Sequence, residues 1–178
     1  MNDSQDTAME KESGKSKRFG QRGEHLVIIQ MALVAIYFFT PAWPDLRSGE
    51  LYRHLALVRW IGLVAGMAGG AVFGIGGSLN IRKYLTPLPY PVEHSRLVDT
   101  GVYALVRHPL YSSQLFAAAG WTIFSLSLTH LIVTLVALIF FNYKASKEEA
   151  WLMERHPEYR KYASRVGKFV PGFGRLKA

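Results

Sequence analysis

The chain has 178 residues, 49% of them hydrophobic and 19% charged, with a formal net charge of +8 and no cysteine. That length suits a single domain, and without cysteine the chain has no disulfide, thiolate nucleophile or zinc–cysteine site. The basic excess does not read as a nucleic-acid surface: the lysines and arginines border apolar runs, where anionic lipid headgroups are the better partners.

Residues 1–23 are rich in Ser, Lys, Glu, Asp, Gln and Gly, which predicts a disordered polar tail with no signal-peptide core. Residues 26–43 form a first apolar span, somewhat short of the roughly 20 residues a bilayer requires. Pro41 and Pro44 end it, and Trp43 suits the membrane interface. A polar loop, residues 45–54, leads to a second span over residues 55–79. There Gly62, Gly66, Gly70 and Gly74 recur every fourth residue, placing them on one helical face where backbones approach closely. The pattern favours a helix–helix seam within one chain; a dimer contact through the same face is the alternative.

Residues 80–107 are polar and carry Pro87, Pro89 and Pro91, an extended connector. Residues 110–143 are then almost continuously apolar, too long for one span. Two helices of about 16 to 18 residues with a tight turn near residues 125–129 fit better. Of the lysines and arginines, five precede the first span, four lie in the connector, nine follow residue 143, and none lies in the turn near residues 125–129. By the positive-inside rule both termini and the connector are cytoplasmic, around four spans. The expected fold is therefore all-α and polytopic, with about four transmembrane helices, a C-terminal helical hairpin and a cytosolic amphipathic C-terminal segment. Its parts are the tail (1–23), two N-terminal spans (24–79), and the connector, hairpin and C-terminal segment (80–178).

The hairpin carries a chemical consequence. Its first helix starts at Pro109, a residue suited to the first helical position, and its second is expected to end near Glu149. Arg107-His108 and Glu148-Glu149 therefore emerge on the same membrane face. His108 is placed as the helix N-cap, beside free N–H groups that favour an anion, and Arg107 adds a permanent cation with bidentate reach. Arg107 against a lipid phosphate and His108 as a simple cap is the bland alternative. Glu148 and Glu149 oppose the dipole of an ending helix, so a cation is expected nearby: Lys144, Lys147 or Arg155, or a cationic ligand group. Adjacent helical side chains diverge by about 100°, so one carboxylate is expected to face the site and the other water. Trp151, Tyr159, Tyr162 and Phe169 recur in and beside the basic segment 154–171, which reads either as an amphipathic interfacial helix covering the site or as simple interfacial packing. The histidines show no ligand spacing and no metal site is expected, nor does any glycine loop of a phosphate-cradling form occur.

Leu97-Val-Asp-Thr-Gly101-Val-Tyr103, Arg107-His108-Pro109-Leu-Tyr111, Glu148-Glu149-Ala-Trp-Leu152, Glu158-Tyr159-Arg-Lys-Tyr162 and Val166-Gly-Lys-Phe-Val-Pro171 form an ordered set. It resembles the isoprenylcysteine carboxyl methyltransferase family and the related phospholipid methyltransferases across about residues 80–171. The resemblance implies an integral-membrane enzyme using S-adenosylmethionine without a Rossmann domain, and a lipophilic or lipid-modified acceptor arriving from the bilayer. It implies that Gly101, Tyr103, His108, Pro109, Tyr111, Glu148, Glu149, Tyr159 and Tyr162 form the cofactor site. Arg107 and His108 are the catalytic candidates: a carboxylate acceptor would need no general base, a thiol or amine acceptor would find His108 the nearest one, and Arg107 would orient the acceptor's carboxylate or the cofactor's own. The family often has glycine or alanine where this chain has Ser113. A membrane reductase using a nicotinamide cofactor and a non-enzymatic scaffold or transporter are the competing readings.

Overall fold

A computed structural model describes residues 23–47, 49–82 and 97–177. Most of the expected tail and the proline-rich part of the connector lie outside the described residues. Among the described residues six helices follow in order: α1 (Glu24–Phe39), a short α2 (Glu50–His54), α3 (Ala56–Ile81), α4 (Pro109–Ser125), α5 (Leu128–Arg155) and α6 (Tyr159–Arg165), with a 3-10 turn at Gly101–Ala104. No strand occurs among the described residues, apart from one isolated bridge between Val106 and Gly167.

Two helices, α3 and α5, are long and apolar enough to cross a bilayer. Their 26 and 28 residues correspond to about 39 and 42 Å at 1.5 Å per residue. The apolar α1 and α4 are shorter, at 16 and 17 residues. Large apolar side chains point outward from the bundle, among them Val64 and Ile75 on α3 and Leu135 and Ile139 on α5. In water such a surface would be a severe aggregation liability; in lipid it is the natural solvent-facing side, as expected of an integral membrane protein.

The glycine face of α3 packs on α4. A Cβ on Gly66 would sit 2.5 Å from the Gly120 Cα and 2.7 Å from the Phe116 carbonyl oxygen, and one on Gly70 would sit 3.1 Å from the Ser113 carbonyl. Gly62 faces Ile123 and Gly74 faces the Ser113 hydroxyl. The seam thus lies within the chain, and α4 occupies the face that a dimer through these glycines would need. Ser113 fits there because it is small.

The helical ends are satisfied by specific partners. Ser127 caps α5, its hydroxyl accepting from the His130 N–H at 3.2 Å. The chain leaving α1 joins the same corner: the Trp43 carbonyl accepts from the Leu128 N–H at 2.8 Å. Arg59, the charged residue near the end of the second span, is buried on α3. Its Nε donates to the Phe124 carbonyl at 2.7 Å, and its guanidinium lies 3.2 Å from the centre of the Tyr52 ring. A cation at the C-terminal end of α4 opposes the helix dipole favourably.

The hairpin turn falls at Leu126 and Ser127, inside the expected window, with Leu126 in the left-handed region at φ 48°. The second hairpin helix is longer than expected. It runs past Glu149 to Arg155, so Glu148 and Glu149 lie inside α5 and do not terminate it.

Replacing Gly66 by alanine should destabilise the fold by about 1–3 kcal/mol, the usual cost of overpacking, because backbone atoms block the new methyl. Gly62→Ala should cost less, since the nearest atoms belong to the Ile123 side chain, which can rotate. Melting midpoints of the two variants in detergent micelles should fall in that order; equal midpoints would contradict the backbone contact.

Candidate functional site

The site begins where the chain enters α4. The segment after α6 runs alongside residues 106–108: the Arg107 N–H donates to the Gly167 carbonyl at 2.9 Å and the His108 N–H to the Lys168 carbonyl at 3.2 Å. The Ser112 hydroxyl, fully buried, donates to the Phe169 carbonyl at 2.8 Å and stitches the same segment to α4. Of the expected C-terminal amphipathic segment, the residues up to Arg155 belong to α5 and residues 159–165 form α6, while residues 166–173 form an extended, turning strap. The reason is local. Strap carbonyls are needed as acceptors for Arg107, His108 and Ser112, and a continuing helix would have used them internally.

Arg107 is buried with no side-chain exposure. Its Nε donates to Glu149 Oε1 at 2.9 Å, its Nη1 to the Ala163 carbonyl at 3.0 Å and to that of Val166, and its Nη2 to the Gly174 carbonyl at 3.0 Å. This differs from the expectation of an arginine reaching out to an anion. The guanidinium is spent on one carboxylate and three carbonyls, two of them at the end of α6, where a cation offsets the dipole. The lipid-phosphate alternative fails for the same reason.

His108 is the N-cap of α4, with Pro109 at the first helical position and no capping bond from the imidazole. The ring instead lies between the two glutamates. Its Nε2 is 2.9 Å from Glu149 Oε1 and its Nδ1 is 3.3 Å from Glu148 Oε2. An ionised carboxylate only accepts, so facing two of them the ring is assigned as an imidazolium that donates from both nitrogens, an assignment made from its partners. Burial opposes that charge, but the two carboxylates outweigh it and hold the His108 pKa above its ordinary value. Both glutamates therefore face inward, where divergence between site and water was expected. Residues 148 and 149 straddle one imidazole, each meeting a different nitrogen.

Glu148 is the more open of the two, with 15% of its side chain exposed against 5% for Glu149. Its Oε1 accepts from the Tyr111 hydroxyl. The Tyr111 ring stacks on His108 at 5.6 Å between centroids and on Phe141 at 4.9 Å. Pro109 is fully buried against Gly77 of α3. Tyr162 donates to the Tyr103 carbonyl at 2.6 Å, which ties α6 to the 3-10 turn. Tyr159 is buried with a hydroxyl that has no hydrogen-bond partner among the described residues. Burial raises the pKa of Tyr103, Tyr159 and Tyr162, with nearby carboxylates adding to it, so these phenols remain protonated at neutral pH. Gly101 stands apart from the cluster. It is exposed with φ +61°, and a Cβ there would meet the Asn80 side chain, so it shapes the turn that presents Tyr103.

One residue assigned only as a nearby cation takes a larger part. Lys144 is 1% exposed and donates to Gln30 Oε1 at 2.6 Å, with its ammonium 5.2 Å from the centre of the Tyr111 ring. Among the described residues no ion pair joins it to a carboxylate. The available signal was its position one turn before Glu148 on the same helical face.

A family model for phospholipid methyltransferase matches residues 59–160. The chain belongs to the phospholipid methyltransferase family. Within that family's reach are α3, the entry to α4, and the whole of α5. Two probable protein-S-isoprenylcysteine O-methyltransferases, from the indica and japonica subspecies of Oryza sativa, are each 32% identical over 118 residues, covering 64% of this chain. The match spans 61% of the length of these curated relatives. The fold is similar to that of the eukaryotic intramembrane Ras methyltransferase ICMT (isoprenylcysteine carboxyl methyltransferase), with a TM-score of 0.63 at 22% identity. That likeness covers 88% of this chain and 56% of the other.

Two consequences of the charge cluster can be measured. Glu149→Gln leaves Arg107 and His108 buried without their shared anion and should cost about 3–5 kcal/mol, read as a large drop in melting midpoint. Because the folded pKa of His108 is raised, its charge adds stability that is fully present below about pH 6.5. That stability is lost as pH rises through the elevated folded value. The melting-midpoint difference between the wild type and His108→Asn should therefore shrink from acidic to alkaline pH; a constant difference would rule out the imidazolium.

Proposed function

We propose that the chain is a membrane methyltransferase that uses S-adenosylmethionine to methylate a carboxylate on a lipophilic acceptor of the isoprenylcysteine kind. Family membership and the named relatives support methyl transfer over a nicotinamide-dependent reduction or a scaffold role. The observation that carries the choice of acceptor is the double engagement of His108. An imidazole donating from both nitrogens has no lone pair with which to take a proton, so it is no general base. The expectation of a base for a thiol or amine acceptor is therefore set aside in favour of an acceptor that is already an anion.

The residues present fit the cofactor. Its sulfonium and ammonium groups call for a carboxylate and aromatic faces, and Glu148 offers an accessible carboxylate edge beside the Tyr111 ring. Two of its roughly four lone-pair sites are taken by Tyr111 and His108, which leaves acceptors free. When bound, S-adenosylmethionine supplies an activated methyl group on a cationic sulfur, whose transfer to a carboxylate oxygen leaves a neutral thioether and releases no proton. The protein's task is then positioning and charge placement. His108 and Tyr111 fix the orientation of Glu148; Glu149 and Arg107 keep His108 in place. Tyr103, Tyr159 and Tyr162 close the side towards α6. Lys144, a buried cation with no ion-paired carboxylate, orients the acceptor carboxylate at the level of Tyr111. We further propose four spans with both termini cytoplasmic, α1 and α4 being accommodated by local bilayer thinning.

Calorimetric titration with S-adenosylhomocysteine and with NADPH tests the cofactor: binding of the first and not the second is expected, and the reverse would sink the reading. Glu148→Gln should weaken S-adenosylhomocysteine binding by about 10- to 100-fold, the worth of a charge-assisted hydrogen bond. Turnover of a prenylated carboxylate should stay nearly flat between about pH 6 and 8, since no proton moves. A steep rise through that range would point to a base and to an amine or thiol acceptor.

A further inference from the structure

We infer that Gln30, on α1, is a positioning residue for the acceptor end of the site, acting through Lys144; the inference rests on the carboxylate-acceptor reading above. Gln30 lies outside the segment matched by the family model, residues 59–160.

The observation is a polar chain crossing three helices. The Lys144 ammonium of α5 donates to Gln30 Oε1 at 2.6 Å. The Gln30 amide nitrogen donates to Gln114 Oε1 on α4 at 3.2 Å. The Gln114 amide nitrogen donates to the Leu110 carbonyl at 3.2 Å, in the first turn of α4 and two residues after His108. Both ends of this chain are chemically one-sided: an ammonium can only donate and a carbonyl can only accept. Every amide between them is therefore locked in one orientation, and neither glutamine can flip without breaking two bonds.

That polarity matters for Lys144. A buried ammonium is costly unless hydrogen-bonded, and a neutral amide oxygen satisfies it without cancelling its charge. A carboxylate at position 30 would form an ion pair and leave no net attraction for an incoming anion. An apolar residue would leave the ammonium without that acceptor and free to swing away from Tyr111. Glutamine is the side chain that holds the ammonium still without neutralising it by an ion pair. The same contacts dock α1 against the hairpin beside the residues that begin α4, so α1 bears on the acceptor end of the site without touching the His108 cluster.

The test uses the purified full chain in lipid nanodiscs, with S-adenosylmethionine and N-acetyl-S-farnesylcysteine as probe. Gln30→Glu should lower kcat/KM for the probe by at least 100-fold through neutralisation of Lys144. Gln30→Leu should raise KM about 10-fold with a smaller change in kcat. Gln114→Leu, which releases the far end of the chain, should give a milder rise in KM. S-adenosylhomocysteine affinity should stay within about twofold of wild type in all three, which also certifies the fold. Should Gln30→Glu fail to insert, Gln30→Leu, which adds no charge to the apolar layer, decides. A wild-type KM in Gln30→Leu overturns the inference while leaving the carboxylate reading intact, as does parallel loss of cofactor affinity, which marks Gln30 as merely structural. A wild-type protein that binds S-adenosylhomocysteine yet turns over no prenylated carboxylate overturns the acceptor reading, and this inference with it.

Discussion

The structure depends on one buried ionic chain, Arg107–Glu149–His108–Glu148. Removing charged groups from water costs several kcal/mol per ion, even after relaxation. These four survive burial because each is bonded to the next and the outer donors reach backbone carbonyls. The Arg107 guanidinium needs the carbonyls of Ala163, Val166 and Gly174, and those exist in the right place only if α6 and the strap fold back on the entry to α4. The ionic chain and the C-terminal fold are thus mutually required. Two formal cations and two formal anions offset one another within it.

Close backbone packing makes that chain geometrically reachable. The glycine face of α3 lets α4 approach until Gly66 and Gly120 meet backbone to backbone, and Gly77 leaves room for the buried Pro109 ring. With the start of α4 fixed in this way, α5 returns antiparallel and brings residues 144, 148 and 149 back to it after a turn of two residues. The membrane contributes as well. A helix with this many glycines would be weak in water, but in lipid its backbone has no competing hydrogen-bond partner.

Much of this was legible in the sequence because it obeys simple periodicities. A four-residue glycine repeat, a proline after a helix-capping position and an apolar run too long for one helix are geometric statements, and the seam and hairpin followed from them. The meeting of Arg107-His108 with Glu148-Glu149 was legible for the same reason. What each residue does there was less so. Arg107 read as a free cation because nothing in a linear sequence reveals that three carbonyls from residues 163–174 fold back to it. Glu148 and Glu149 read as a divergent pair at a helix end, because the sequence places them about 100° apart but does not show an imidazole between them. Lys144 and Gln30 are 114 positions apart; no short motif can join them, and a glutamine in an apolar run looks like an imperfection in a span.

The separation of charges in the site has a chemical logic. Methyl transfer from a sulfonium to a carboxylate brings a cation and an anion together and leaves neither, so under the proposed function the protein must hold both without quenching either beforehand. A single salt bridge across the site would fail, because its members would be satisfied by each other. Here the carboxylate edge of Glu148 is held by a tyrosine and an imidazolium that engage only part of its accepting capacity. The Lys144 ammonium is held by an amide that takes none of its charge. Each is fixed in direction and left with residual capacity for a ligand of opposite sign. The Tyr111 ring lies within reach of both, its hydroxyl on Glu148 and its face 5.2 Å from the Lys144 ammonium. A residue at position 111 that was aromatic but lacked the hydroxyl would preserve that face and lose the restraint on Glu148. Under the proposed function the tyrosine therefore serves two ends of one reaction, as an aromatic face beside one charge and as the donor that aims the other.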